Sequence, residues 1–244
     1  KISGITCTEL EGHAKEVTDA EGFHVFPGFI DTHVHSRDKG GEHKEDFFHS
    51  TRAAAAGGIT MIFEMPNAIP AIWNKDNLKE QIENFSQKAH VDFAMWGLCL
   101  GDLNNKDLMD LSEAGVVAFK FFWGYAIDKN TYQLVYNYKP EMQGDVIPPL
   151  SDGEVYEIFR QVAETGKLLA IHAENASLIQ TLTNEPGLLD ENLGEYEKLV
   201  ESRPGIAEEM VINTALSLSK KTNCRLHILH VSSKEGTEAI RAAQ

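Results

Sequence analysis

The chain of 244 residues predicts an α/β fold in which parallel strands are joined by crossover helices. Two observations carry that expectation. Short apolar runs alternate along the chain with segments of helical periodicity, and the runs are apolar on both faces, as strands covered on both sides are. A third observation narrows the class: no Gly-x-Gly-x-x-Gly and no Walker-type loop occurs, which argues against a nucleotide-binding member.

The candidate strands are residues 28–33, 60–65, 91–98, 116–122, 168–172 and 226–231. Between them the segment 45–56 leads to Gly57-Gly58, a helix stop. Residues 75–88 place Leu78, Ile82 and Phe85 at helical spacing. The helical segments 105–114 and 152–165 stop at Gly115 and Gly166, 204–221 is a longer helical run, and 235–244 opens another helix. The segment 126–150 carries Pro140, Pro148 and Pro149 with little periodicity, and reads as a long loop beside a strand end, where function often sits. Residues 11–21 are polar and hairpin-like, so residues 1–26 are expected to form part of a small separate β layer, with 27–244 as the main domain. The first residue is Lys1 rather than Met, and the last helix is cut at Gln244, so both ends read as interior positions of a longer polypeptide.

Composition excludes some partners. With 22 Lys plus Arg against 37 Asp plus Glu, the net charge is −15, which disfavours nucleic acid and anionic membranes as partners. No apolar run reaches membrane-span length, and no signal-peptide layout opens the chain. Three scattered cysteines, Cys7, Cys99 and Cys224, form neither a disulfide framework nor a zinc pattern, and point to a reducing, cytoplasmic setting.

The first candidate chemistry is Ile30-Asp31-Thr32-His33-Val34-His35. Alternate side chains of a strand share a face, so His33 and His35 point the same way and make half of a metal site. His172 ends Leu168-Leu169-Ala170-Ile171-His172, and His230 ends a similar run. Either alone also fits a satisfied core histidine; with the opening pair they give four imidazoles at the ends of three strands, a donor set suited to zinc. His227, three residues before His230, is expected to face away and to be structural. His13, His24, His43, His49 and His90 default to surface roles. Lys120 lies within Val116-Val117-Ala118-Phe119-Lys120-Phe121-Phe122-Trp123. Burial lowers a lysine pKa, and a neutral amine can react with carbon dioxide to give a two-oxygen carbamate that two metal ions could share. The same pattern also fits a lysine that snorkels or pairs with a carboxylate.

These residues resemble the cyclic amidohydrolases: dihydroorotase, allantoinase and hydantoinase (dihydropyrimidinase). The resemblance rests on Pro27-Gly28-Phe29-Ile30-Asp31-Thr32-His33-Val34-His35, Arg52-Ala53-Ala54-Ala55-Ala56-Gly57-Gly58-Ile59-Thr60, Met65-Pro66-Asn67, Phe119-Lys120, His172-Ala173-Glu174-Asn175, Ser202-Arg203-Pro204 and His230-Val231-Ser232-Ser233. It implies a (β/α)8 TIM-type barrel of the metal-dependent amidohydrolase type, here with six of its strands, beside part of a small β-sandwich. It implies two divalent ions, zinc in kind: His33 and His35 hold one, His172 and His230 the other, and a carboxylated Lys120 bridges them. The ions acidify a water for attack on a ring amide carbonyl. The acid–base aspartate of such enzymes matches no segment here and is expected beyond Gln244, so no catalytic residue is assigned within the chain. A small cyclic amide as substrate and assembly as a homo-oligomer are also implied.

Arg37 and Asn67 tilt the expected substrate. His-x-His-x-Arg with Met-Pro-Asn is the dihydroorotase pattern, in which both residues hold the substrate carboxylate. The favoured expectation is therefore dihydroorotase activity, in pyrimidine biosynthesis. The segments His172-Ala173-Glu174-Asn175 and Cys224-Arg225-Leu226-His227 pull toward allantoinase or hydantoinase, the alternative. A different class stays open, a non-catalytic scaffold paralogue; retention of all five ligands argues against it.

Overall fold

The structure is a computed structural model and describes residues 4–5, 14–136, 138–142, 144–185, 187–190 and 192–244. In chain order the strands and helices are β1 Phe29–Val34, α1 Phe47–Ala56, β2 Ile59–Glu64, α2 Lys75–Ser86, β3 Asp92–Met95, β4 Gly97–Leu98, α3 Leu108–Ala114 and β5 Phe119–Trp123. Then follow β6 Ala126–Asp128, β7 Leu134–Val135, β8 Val146–Ile147, α4 Asp152–Thr165, β9 Leu168–Ala173, α5 Ala176–Asn184, α6 Glu195–Glu201, α7 Gly205–Thr222, β10 Arg225–Ile228 and α8 Lys234–Ala243.

Local chemistry sets the helix ends. Asp46, Asn74, Asn175 and Ser233 cap α1, α2, α5 and α8, each side chain accepting a backbone N–H one turn on. Ser151 and Glu154 form a reciprocal capping box at α4. Gly115 and Gly166 end α3 and α4 in the left-handed conformation that glycine adopts without steric penalty.

Every pairing among β1, β2, β3, β4, β5, β9 and β10 is parallel, in the orders β1-β2-β3 and β4-β5-β9-β10. β3 and β4 are the two halves of the expected strand 91–98, split at Trp96, so the wall is continuous and six strands wide. Trp96 donates its backbone N–H to Glu64 on β2, and its indole N–H crosses to the Thr32 carbonyl on β1 at 3.1 Å. The wall curls: the rings of His33, on the first strand, and His230, past the last, lie 5.4 Å apart.

The main core lies between the wall and its helices, where Phe47 stacks on Phe85 at 4.1 Å and Leu111, Phe119, Phe159, Leu169 and Ile212 are fully buried. Each such side chain contributes about 1.5–3 kcal/mol of transfer free energy. A smaller cluster of Met65, Trp96, Ala118, Ala170 and Leu229 fills the inside of the curl and floors the site.

Three differences from expectation follow. The long loop 126–150 contains an antiparallel sheet, β7-β6-β8, whose strands of two or three residues are too short to show alternation. Helices α5 and α6 occupy the stretch between β9 and α7. Of the small β layer expected over residues 1–26, residues 1–3 and 6–13 lie outside the described residues, and 4–5 and 14–26 form no strand. Cys99 and Cys224 are buried free thiols, and Cys7 lies outside the described residues. No helix among the described residues is long and apolar enough to cross a membrane.

Candidate metal centre at the strand ends

The four histidines meet at the C-terminal ends of β1, β9 and β10, as two pairs. His33 Nε2 lies 3.3 Å from His35 Nε2, and His172 Nδ1 lies 3.2 Å from His230 Nε2. The outward nitrogens explain which atoms face inward. His35 Nδ1 is 2.8 Å from Asn67 Oδ1, and His172 Nε2 is 2.8 Å from Glu174 Oε2. An amide oxygen and a carboxylate only accept, so both of these nitrogens carry the proton. The lone pairs of His35 Nε2 and His172 Nδ1 therefore point at their partner imidazoles.

The charge state suits metal binding. Burial and the Lys120 charge lower the His33 pKa to about 4, with His230 and His227 adding and Asp31 opposing. Burial, Arg37 and His33 lower His35 to about 4, with Asn67 opposing. Burial, His172 and Lys120 likewise lower His230. Neutral imidazole is the form that ligates.

Lys120 is fully buried on β5, and its Nζ has no hydrogen-bond partner among the described residues. It lies 4.4 Å from the Phe122 ring centroid, and burial lowers its pKa to about 7. The expected alternative, a lysine that snorkels or pairs with a carboxylate, is not what this geometry shows. An amine with a neutral fraction beside imidazoles is a donor set that fits divalent ions, and the orphaned Nζ is an atom that lacks a partner without them.

His227 departs from expectation. It pairs in register with Ala170, which pairs with Lys120, so all three side chains project from one face of the wall, and Ala170 belongs to the inner cluster. Its charge also bears on His33. The reason is that the chain bends past β10, where His230 has φ 35°, so spacing within a strand does not relate the two histidines. Among the described residues, the group of acidic and histidine ligand atoms lying within 4.8 Å of one another is elsewhere, at Glu45, Asp46 and His49. There Asp46 is the α1 cap and already accepts from the His49 backbone and ring.

Arg37 and Asn67 line one cavity of about 170 Å3 with His35, Glu64 and Tyr136. The Arg37 guanidinium makes no ion pair with a described residue, whereas Asn67 spends its oxygen on His35. Two carboxylates go unsuspected in the motif reading. Glu174 accepts from His172 and from Tyr125 at 3.3 Å, and lies 3.5 Å from Arg203. Burial pushes its pKa up, but His172, Arg203 and Tyr125 outweigh burial and hold it below the usual range. Glu64, 2% exposed, accepts from Ser36; burial pushes it up to about 8 against those bonds. The i, i+2 spacing of His172 and Glu174 is a sequence signal for the first; Glu64 has none.

A parallel α/β wall with its polar cluster at the C-terminal strand ends is the architecture of the α/β-barrel class. The chain belongs to the amidohydrolase family, whose profile matches residues 24–243. The chain is 35% identical over 240 residues to an allantoinase of Bacillus licheniformis, covering 96% of this chain and 49% of that protein. It is 32% identical over 246 residues to the L-hydantoinase of Paenarthrobacter aurescens, covering 100% and 49%. Among solved structures it resembles the L-hydantoinase (dihydropyrimidinase) from Arthrobacter aurescens, with TM-score 0.74, 32% identity and coverage of 89% of this chain and 44% of that one. A D-hydantoinase matches with TM-score 0.68 at 27% identity. The chain thus spans about half the length of the curated relatives it matches. The fold is the expected amidohydrolase barrel. The relatives' names favour the alternative, allantoinase or hydantoinase, over the dihydroorotase expectation.

Proposed function

We propose that this chain carries the metal-holding part of a cyclic amidohydrolase that opens a ureide ring of the allantoin or hydantoin type. The observation that carries the proposal is the two pairs of facing imidazoles beside a buried amine without a partner among the described residues. His33 and His35 would hold one zinc-like divalent ion, and His172 and His230 a second. When bound, such ions acidify water and polarise an amide carbonyl.

The chain's own residues do the rest. Lys120, with a pKa of about 7, has a neutral fraction whose nitrogen attacks the carbon of carbon dioxide. A proton leaves the nitrogen as the carbamate anion forms, so a group whose charge bears on His33, His35 and His230 becomes a two-oxygen ligand. Asn67 and Glu174 hold the protons of His35 and His172 on their outer nitrogens. Tyr125, which lies 4.9 Å from His172 and 5.1 Å from Tyr136 between ring centroids, gives the opening an aromatic wall against which a planar ring can lie.

The ring type rests on the similarity to allantoinases and hydantoinases. The Asn67 oxygen orients His35, while its amide N–H groups, one of them 3.4 Å from the Tyr136 hydroxyl, stand with Arg37 as donors at the same cavity. Arg37 is the observation that keeps a second reading, dihydroorotate hydrolysis. The zinc-loaded full-length protein, assayed in parallel on allantoin, hydantoin and dihydroorotate, decides: turnover of the first or second supports the proposal, and turnover of dihydroorotate alone replaces it with the second reading. No turnover and no metal uptake would support a scaffold role.

A further inference from the structure

We infer that Glu64 and Glu208 are paired positioning residues, each gripping the backbone just past one metal-facing histidine; the inference rests on the two-metal reading above. The two grips share one geometry, a carboxyl group accepting backbone N–H and a serine hydroxyl. Behind His35, the Glu64 carboxylate accepts the Ser36 backbone N–H at 2.9 and 3.2 Å and the Ser36 hydroxyl at 2.9 Å. Behind His230, the Glu208 carboxylate accepts the Ser232 N–H at 3.0 and 3.1 Å and the Ser233 N–H at 2.7 Å, and the Ser233 hydroxyl also donates to it.

Geometry explains what each grip does. Side chains alternate along β1, so His33 and His35 face the inside of the curl while Val34, which packs on the main core, and Ser36 face the helices. Glu64, at the end of β2, holds Ser36 from that outer side, and Met65 N–H donates to the Val34 carbonyl at 2.8 Å. A one-residue slip here would turn His35 outward. On the other flank Glu208 reaches from α7 to the N–H groups of Ser232 and of Ser233, the α8 cap, beside a helix N-terminus that favours a carboxylate. Gly236 admits this approach: a Cβ there would lie 2.6 Å from Ile212 and 3.1 Å from Glu208. His230 holds φ 35°, a conformation that needs support from its neighbours.

The test uses the full-length protein, with zinc and cobalt(II) alone as probes, at a temperature below the melting point of the metal-free form. Glu64→Gln and Glu208→Gln each weaken one of two zinc equivalents, by about 10–100-fold, and leave the other near wild type. The affected equivalent is assigned by matching cobalt spectra to those of His35→Ala and His172→Ala. Ser36→Ala and Ser233→Ala, which keep the N–H bonds, fall between wild type and the Gln variants, and carry the test should a Gln variant fail to fold. Unchanged zinc constants with a lowered melting temperature make the carboxylates merely structural and overturn the inference. A wild-type protein whose zinc binding is absent, or unaffected by His172→Ala, overturns the metal reading and the inference with it.

Discussion

His172 turns its Nδ1 toward His230 Nε2, 3.2 Å away, because Glu174 holds its other ring nitrogen at 2.8 Å. Glu174→Ala frees the ring to take the other tautomer. We expect the zinc equivalent of this pair to bind about 10–100-fold more weakly, as other losses of a carboxylate behind a ligating histidine do. Competition with a chromogenic chelator measures it; an unchanged constant would mean that the tautomer is set elsewhere.

Lys120 should cost stability in the metal-free protein while serving the site. Its Nζ is buried without a partner among the described residues, a situation worth about 1–3 kcal/mol of destabilisation. Lys120→Met keeps the length and removes the amine. The metal-free variant should melt higher than wild type, yet turn over no cyclic amide. Carbon-13 bicarbonate should give a carbamate signal in the wild type that the variant lacks. A variant that melts lower would show that the amine has a stabilising partner.

Arg37 separates the two ring types. Its guanidinium is exposed at the 170 Å3 cavity and makes no ion pair with a described residue. If the substrate is an uncharged ureide, Arg37→Ala changes kcat/KM only a few-fold, within about 1 kcal/mol. If the substrate bears a carboxylate, losing the charged hydrogen bonds costs about 1.5–3 kcal/mol or more, chiefly in KM. Steady-state kinetics on each ring distinguishes these outcomes.

Asp38 makes the β1 exit acid-sensitive. Burial pushes its pKa up, but hydrogen bonds from Lys88 at 2.7 and 2.9 Å, Phe47 N–H at 3.1 Å and Asn84 at 3.2 Å outweigh burial and lower it. An unfolded aspartate titrates at about 3.9. The stabilisation is thus fully present above about pH 4 and is lost as pH falls through the lower, folded value. Asp38→Asn should lose about 1–3 kcal/mol in urea unfolding near neutral pH, and the gap from wild type should close in stronger acid. An equal gap at both pH values would contradict the assignment.

The strand wall was readable because its strands show as apolar runs, most fully at the buried central strands β5 and β9 and less at the partly exposed edges β1 and β10; β1, β2, β9 and β10 fall within a few residues of the expected segments. Helix α5 has a sequence signal, the Asn175 cap and the spacing of Leu178, Ile179 and Leu182, but it is nine residues long and buries none of them fully, so its apolar stripe is weak. The β6–β8 sheet was not legible, since two-residue strands carry no period. His33, His35, His172 and His230 are brought together as expected, whereas His227 turns inward because a bend after β10 breaks the count. Asn67 shows the deeper limit. Sequence places it at the site, but only the ring of His35 beside it shows which of its hydrogen bonds is already taken.

Whether two histidine pairs hold two ions is read from anomalous diffraction at the zinc edge, using crystals of the zinc-loaded full-length protein. Two peaks per chain are expected, one about 2.0–2.1 Å from His33 Nε2 and His35 Nε2, the other at the same distance from His172 Nδ1 and His230 Nε2. No peak at the strand ends, or a peak only at Glu45, Asp46 and His49, would contradict the two-ion site.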